Sequence, residues 1–127
     1  MATSVVEDTY LASADDAWAI VGDFANLKAI SPAIADVEIT GDDRTFSMLG
    51  MKITERLVSR DDAARSITYS IVDGVPIESH EATITVAPDA EGCTITWSVT
   101  VTPDEAVPLF ADTYRSALKH LHTLLDG

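Results

Sequence analysis

Between residues 51 and 102, apolar and polar side chains alternate with a period of two. In 51–59, Met51, Ile53, Glu55 and Leu57 share one face, opposite Lys52, Thr54 and Arg56. In 66–72, Ile67, Tyr69 and Ile71 oppose three Ser or Thr residues. In 77–86, Glu78, His80, Ala82, Ile84 and Val86 share a face, and in 93–102 so do Cys93, Ile95, Trp97, Val99 and Val101. Such alternation predicts strands with one buried and one wet face. Asp61-Asp62, Asp73-Gly74 and Glu91-Gly92 supply turns between them, and connections this short make an antiparallel meander.

Elements of another period flank the meander. Residues 4–11 read as a first strand. Ser13, with Asp16 three residues on, then opens a short helix ending near Gly22. Ala17, Trp18, Val21 and Phe24 recur at helical spacing, and a second short helix is expected before Pro32. At the other end, Thr102-Pro103-Asp104-Glu105 predicts a helix start with proline at its first position. Val107, Phe110, Tyr114, Ala117, Leu118, Leu121, Leu124 and Leu125 carry that helix toward Gly127. The order is strand, helices, about six strands, long helix. An antiparallel sheet needs its apolar face covered, and only the last helix is long enough to do so. The expected architecture is therefore α+β, a curved sheet of about seven strands around a C-terminal helix.

Length and charge narrow the function classes. A chain of 127 residues forms one domain, 1–127, with no linker or repeat to divide it. With 21 acidic and 8 basic side chains, its net charge is −13. That lacks the cation cluster that nucleic acid or an anionic membrane requires. Five bases (Arg44, Lys52, Arg56, Arg60 and Arg65) fall in residues 44–65, where the reading is a solvated sheet face. The N-terminus has no basic and apolar leader pattern, no run reaches the length of a membrane span, and cytoplasmic location is the expectation. Single Cys93 excludes an internal disulfide, and it alternates onto the buried face with no base nearby. His120 and His122 are about 200° apart around a helix axis and cannot share a metal. No phosphate loop, dinucleotide fingerprint or nucleophile elbow occurs, so neither cofactor nor metal is expected.

The order of elements resembles the helix-grip fold of the START and Bet v 1-like superfamily. Within it the chain is similar to the polyketide cyclase/dehydrase and lipid transport family. The resemblance rests on Ala12-Ser13-Ala14-Asp15-Asp16-Ala17-Trp18 with Asp23-Phe24, and on Gly41 with Arg44-Thr45-Phe46. Glu55-Arg56-Leu57, Tyr69-Ser70-Ile71, Pro76 and Trp97 continue it in order. Family members often carry tryptophan two residues before the proline after the first helices, where this chain has Ile30 before Ser31-Pro32. The resemblance implies a cavity between sheet and long helix that takes a small hydrophobic or aromatic molecule, polyketide- or lipid-like. It does not imply catalysis.

Glu55 falls on the face that alternation assigns to the interior. A carboxylate there is costly unless paired, and burial raises its pKa toward the range of a general acid or base. The competing reading is a structural carboxylate, paired with a buried partner or reaching water at the cavity mouth. His80, also inward, is either a proton carrier for a bound ligand or a histidine satisfied by hydrogen bonds. Glu78 on the same face could orient the ring, and its place near the strand end favours solvation. Tyr69, Tyr114 and Trp97 combine apolar area with a polar tip, which suits a core and a ligand pocket equally. Trp18 reads as core. Phe46, Met48, Met51, Phe110 and Leu118 are candidate apolar lining.

Three functions follow. The first is a binding protein for one small hydrophobic molecule, acting as a monomer or weak homodimer. The second is a cyclase or dehydratase in which Glu55 or His80 removes a proton next to a carbonyl and a tyrosine steadies the enolate. The third is a partner-binding module using the acidic surface or a sheet edge.

Overall fold

The computed structural model describes residues 2–126. Strand β1 (Ala2–Tyr10) leads into helix α1 (Ala14–Val21) and a single 3₁₀ turn at Leu27–Ala29. Six strands follow: β2 (Ala35–Thr40), β3 (Asp43–Met48), β4 (Met51–Asp61), β5 (Ser66–Asp73), β6 (Ser79–Pro88) and β7 (Cys93–Thr102). Helix α2 (Val107–Leu125) closes the chain after a 3₁₀ turn at Asp104–Ala106. Met1 and Gly127, at the two ends of the expected domain, lie outside the described residues.

All seven strands form one antiparallel sheet in the order β1-β7-β6-β5-β4-β3-β2. Strands β2 to β7 are a meander, as short turns dictate, and β1 pairs with β7 through nine residues, from Ala2 opposite Val101 to Tyr10 opposite Cys93. The expected α+β helix-grip architecture is present. On β7 the inward residues Cys93, Ile95, Trp97, Val99 and Val101 are all buried, and the alternating Thr and Ser residues are half-buried. Ser13 caps α1 by accepting the Asp16 amide at 3.1 Å, which satisfies one of the unpaired donors of the first turn.

The start of the last helix differs from the sequence expectation. Thr102 remains in the sheet opposite Ser79, and its carbonyl accepts the Glu78 amide at 2.8 Å. That contact holds the backbone extended through Pro103, so the α-helix begins only at Val107, with Pro108 in its first turn. Phe110, Ala111, Tyr114, Ala117, Leu118, Leu121 and Leu125 form its buried stripe, whereas Leu124, expected on that stripe, is exposed.

The C-terminal end of α2 is tied to the β1–α1 junction. Ala12 N–H donates to the Leu125 carbonyl at 3.0 Å, and Leu11 N–H to Asp126 Oδ1 at 2.9 Å. The Tyr10 hydroxyl donates to the Leu118 carbonyl at 2.5 Å. His122 is held between Asp8, at 2.7 Å from Nε2, and Asp126 at Nδ1. Both ring nitrogens face carboxylates, so both carry protons, and these hydrogen bonds raise the histidine pKa.

Candidate ligand cavity

A cavity of about 100 Å³ lies between the sheet and the N-terminal half of α2. Its walls come from β3 and β4 (Phe46, Met48, Met51, Ile53 and Glu55), from β5 and β7 (Tyr69, Ile71 and Trp97), and from α2 (Phe110, Tyr114 and Ala117). Leu27, Ile30 and Ile34, from the segment between α1 and β2, complete the enclosure. Leu49 and Leu109 also border it while being 75% and 53% exposed, which places the mouth between the β3–β4 hairpin and the first turn of α2. The engineered apolar cavity that admits benzene is about 150 Å³. This cavity is about a third smaller, so even a one-ring guest displaces the side chains at this mouth.

Polar groups concentrate at the inner end. Arg44 and Glu55 are register partners on β3 and β4, and their side chains form an ion pair that is 4% and 7% exposed. Arg44 Nε and Nη2 both lie 2.8 Å from Glu55 Oε1, and Nη1 donates to the Phe24 carbonyl at 2.9 Å. The guanidinium is sandwiched between rings, 4.0 Å from the Phe24 centroid and 4.8 Å from that of Tyr69. Burial pushes the Glu55 carboxyl above its usual value, and Arg44 pulls it back. Since a guanidinium does not shed its proton, Glu55 stays its ionised partner at neutral pH. Arg44 thus leaves the solvated face assigned to the basic segment, because the hairpin register sets it against a buried carboxylate. Of the other bases there, Arg56 pairs with Asp43, Arg60 with Asp62 and Arg65 with Asp15.

His80 sits where β5 and β6 part. Their register pairing ends at Tyr69 opposite Ala82, and the Ile71 amide donates to His80 Nδ1 at 3.1 Å. An amide can only donate, so Nδ1 is the unprotonated nitrogen and the proton is on Nε2. Nε2 is 3.0 Å from the Tyr114 hydroxyl, which therefore accepts. Burial lowers the His80 pKa to about 4, and the ring is neutral at physiological pH. Trp97 Nε1–H donates to the Tyr69 hydroxyl at 3.1 Å, and the Trp97 indole stacks on Tyr114 at 4.3 Å between centroids. Both phenols are raised well above their ordinary pKa, chiefly by burial, and stay protonated.

Of the residues singled out from sequence, Glu55, Tyr69, Tyr114, Trp97, Phe46, Met48, Met51 and Phe110 converge on this cavity. His80 stands one hydrogen bond behind Tyr114, and Leu118 is buried in the core away from the wall. Glu78 is exposed just before β6, and Trp18 packs in the core while its indole N–H reaches Asp62. The sequence reading missed Arg44, Leu49 and Leu109. Arg44 was accessible from the pattern, since it lies two residues before inward Phe46 and opposite Glu55 once the hairpin closes at Leu49-Gly50. Among the described residues no cluster of three or more candidate ligands could hold a metal.

The model of the polyketide cyclase/dehydrase and lipid transport family matches residues 1–126. The chain belongs to that family. Its fold is similar to that of the protein XoxI from Bacillus cereus, with 30% identity, a TM-score of 0.92, and coverage of 98% of this chain and 96% of that one. An uncharacterized protein from Bacillus thuringiensis is 27% identical at a TM-score of 0.88, over 97% of this chain and 98% of its own. A Thermobifida fusca protein solved by NMR is 26% identical at 0.79, covering 100% and 98%. No curated protein matches the chain. Among the described residues no helix is long and apolar enough to cross a membrane.

Proposed function

We propose that this protein binds one small, mainly apolar molecule, aromatic or lipid-like, between its sheet and α2. The observation that carries this reading is a cavity in the interior of a 127-residue domain, bordered by apolar side chains and opening between two exposed leucines. Natural cores close-pack, so an empty apolar void costs stability, and a bound guest offsets that cost. Thermal unfolding with a panel of one- and two-ring aromatics tests it. Binders raise the midpoint in wild type, and Ala117→Leu, which grows a side chain into the cavity, removes the effect. A panel without any shift, together with no co-purified molecule in native mass spectrometry, overturns the reading.

Catalysis of the cyclase or dehydratase type has one supporting observation, the Glu55 carboxylate at the cavity wall with its pKa raised by burial. In that version Glu55 takes the proton and the phenols face the developing enolate, since both His80 nitrogens are engaged. Turnover of poly-β-keto or aromatic ketone substrates, lost in Glu55→Gln, separates it from simple binding.

A further inference from the structure

Trp97 Nε1–H can only donate, so the Tyr69 oxygen accepts its hydrogen bond. The His80 tautomer is fixed from behind by the Ile71 amide, so the Tyr114 oxygen accepts a hydrogen bond from Nε2–H. Each phenol is thereby an acceptor toward the core, and each still holds its own O–H. The two hydroxyls are close enough to act on one another's ionisation. A bond between them uses one of the two protons and leaves the other. Both tyrosines are buried and both border the cavity. At least one phenol proton is therefore left over at a wall that also carries the Glu55 carboxylate and the Ser31 and Thr113 hydroxyls.

Charge selects what the donor meets. The Arg44 guanidinium is already matched by Glu55 and covered by two rings, so it offers no spare charge to an anionic guest. The Glu55 carboxylate on the wall is matched by the same pairing, so it offers no spare charge to a cationic guest either. We propose that the Tyr69–Tyr114 pair is a binding site for an uncharged acceptor oxygen, the carbonyl of a ketone, aldehyde or ester carried on a small apolar body. His80 is a positioning residue here: it keeps the Tyr114 proton turned away from the core. The inference rests on the ligand-binding reading and adds the functional group that the ligand presents.

Two probes of one shape test it: acetophenone, and α-methylstyrene, in which a CH₂ replaces the carbonyl oxygen. Dissociation constants are measured for wild type, the two single Tyr→Phe variants and Tyr69→Phe/Tyr114→Phe. The double variant matters because loss of one hydroxyl frees the other to turn toward the guest. The ketone should weaken about fivefold or more in the double variant, as expected for one neutral hydrogen bond. The hydrocarbon should hold within about twofold, which also shows that the pocket is intact. Equal weakening of both probes, or of neither, overturns the proposal. Should the double variant not fold, the infrared carbonyl band of acetophenone bound to wild type decides: a shift below its position in hexane supports the donor, and an unshifted band overturns it. If α-methylstyrene also fails to bind wild type, the cavity reading falls and this inference with it; if it binds and the ketone gains nothing, only the inference falls.

Discussion

The Arg44–Glu55 pair concentrates the energetic risk of this fold in two side chains. Removing one partner strands a buried charge, whereas replacing both with apolar groups leaves none. Arg44→Met is expected to lower unfolding stability by roughly 3 kcal/mol, and Arg44→Met/Glu55→Leu to recover most of it. Urea denaturation of both variants checks this, and a double variant no better than the single would show that the pair has another role. The same residues mark what was legible in sequence. Alternation placed Glu55 indoors because its apolar neighbours Ile53 and Leu57 fix the phase of the strand. Composition groups Arg44 with four other bases on a solvated face, because composition has no register. Only the pairing of β3 with β4 shows that the buried acid has a cation opposite it. The fixed tautomer of His80 was beyond sequence for a related reason: it depends on a backbone amide freed where two strands diverge.

At the scale of elements, the period-two signal was legible wherever a strand has a buried face, as in β4 to β7. It failed for β2, an edge strand that leaves nearly all of its residues exposed and so writes no alternation into the chain. The start of α2 was misplaced because capping chemistry at Thr102–Glu105 competes with the last rung of β7, and the rung prevails. The β3–β4 hairpin carries a cost of its own. Its two-residue turn places Leu49 at φ 52° and Gly50 at φ 78°, a left-handed pair in which Asn-Gly is the favoured sequence. A leucine there is strained by about 1 kcal/mol relative to residues that tolerate the conformation. Its side chain borders the cavity mouth instead of the core. Leu49→Asn should therefore raise stability by up to about 1 kcal/mol while weakening apolar probes. Thermal unfolding and binding measured on the same preparation check it, and a variant that loses stability would show that the leucine supports the hairpin.

Across the whole molecule, two histidines respond to pH in opposite senses. His80 is neutral when folded, with its pKa lowered from 6.5 to about 4. Its contribution is complete above pH 6.5 and declines as pH falls toward 4, by about 3 kcal/mol at most. His122 has a raised pKa from Asp8 and Asp126, so its contribution is complete below about 6.5 and disappears as pH rises through the folded-state value. Urea unfolding from about pH 4 to 9 should show His80→Gln flattening the acid limb. His122→Gln should lose more stability at about pH 6 than at about pH 9. The reverse order would show that the two assignments are exchanged or wrong.

The net charge of −13 sits on this molecule largely as turns, helix starts and surface pairs, and the chemistry turns on a few interior groups. The uneven fastening of α2 has a mechanical meaning. From Leu118 onward the helix is tied by backbone, phenol and imidazolium contacts to the start of the chain. From Phe110 to Ala117 it overlies an incompletely filled space. Over that space it is held by side chains, the Tyr114–His80 hydrogen bond and the Tyr114–Trp97 stack. A guest too large for 100 Å³ works against these aromatic contacts, while the clamp, far from the cavity, keeps the other end of the helix in place as a pivot.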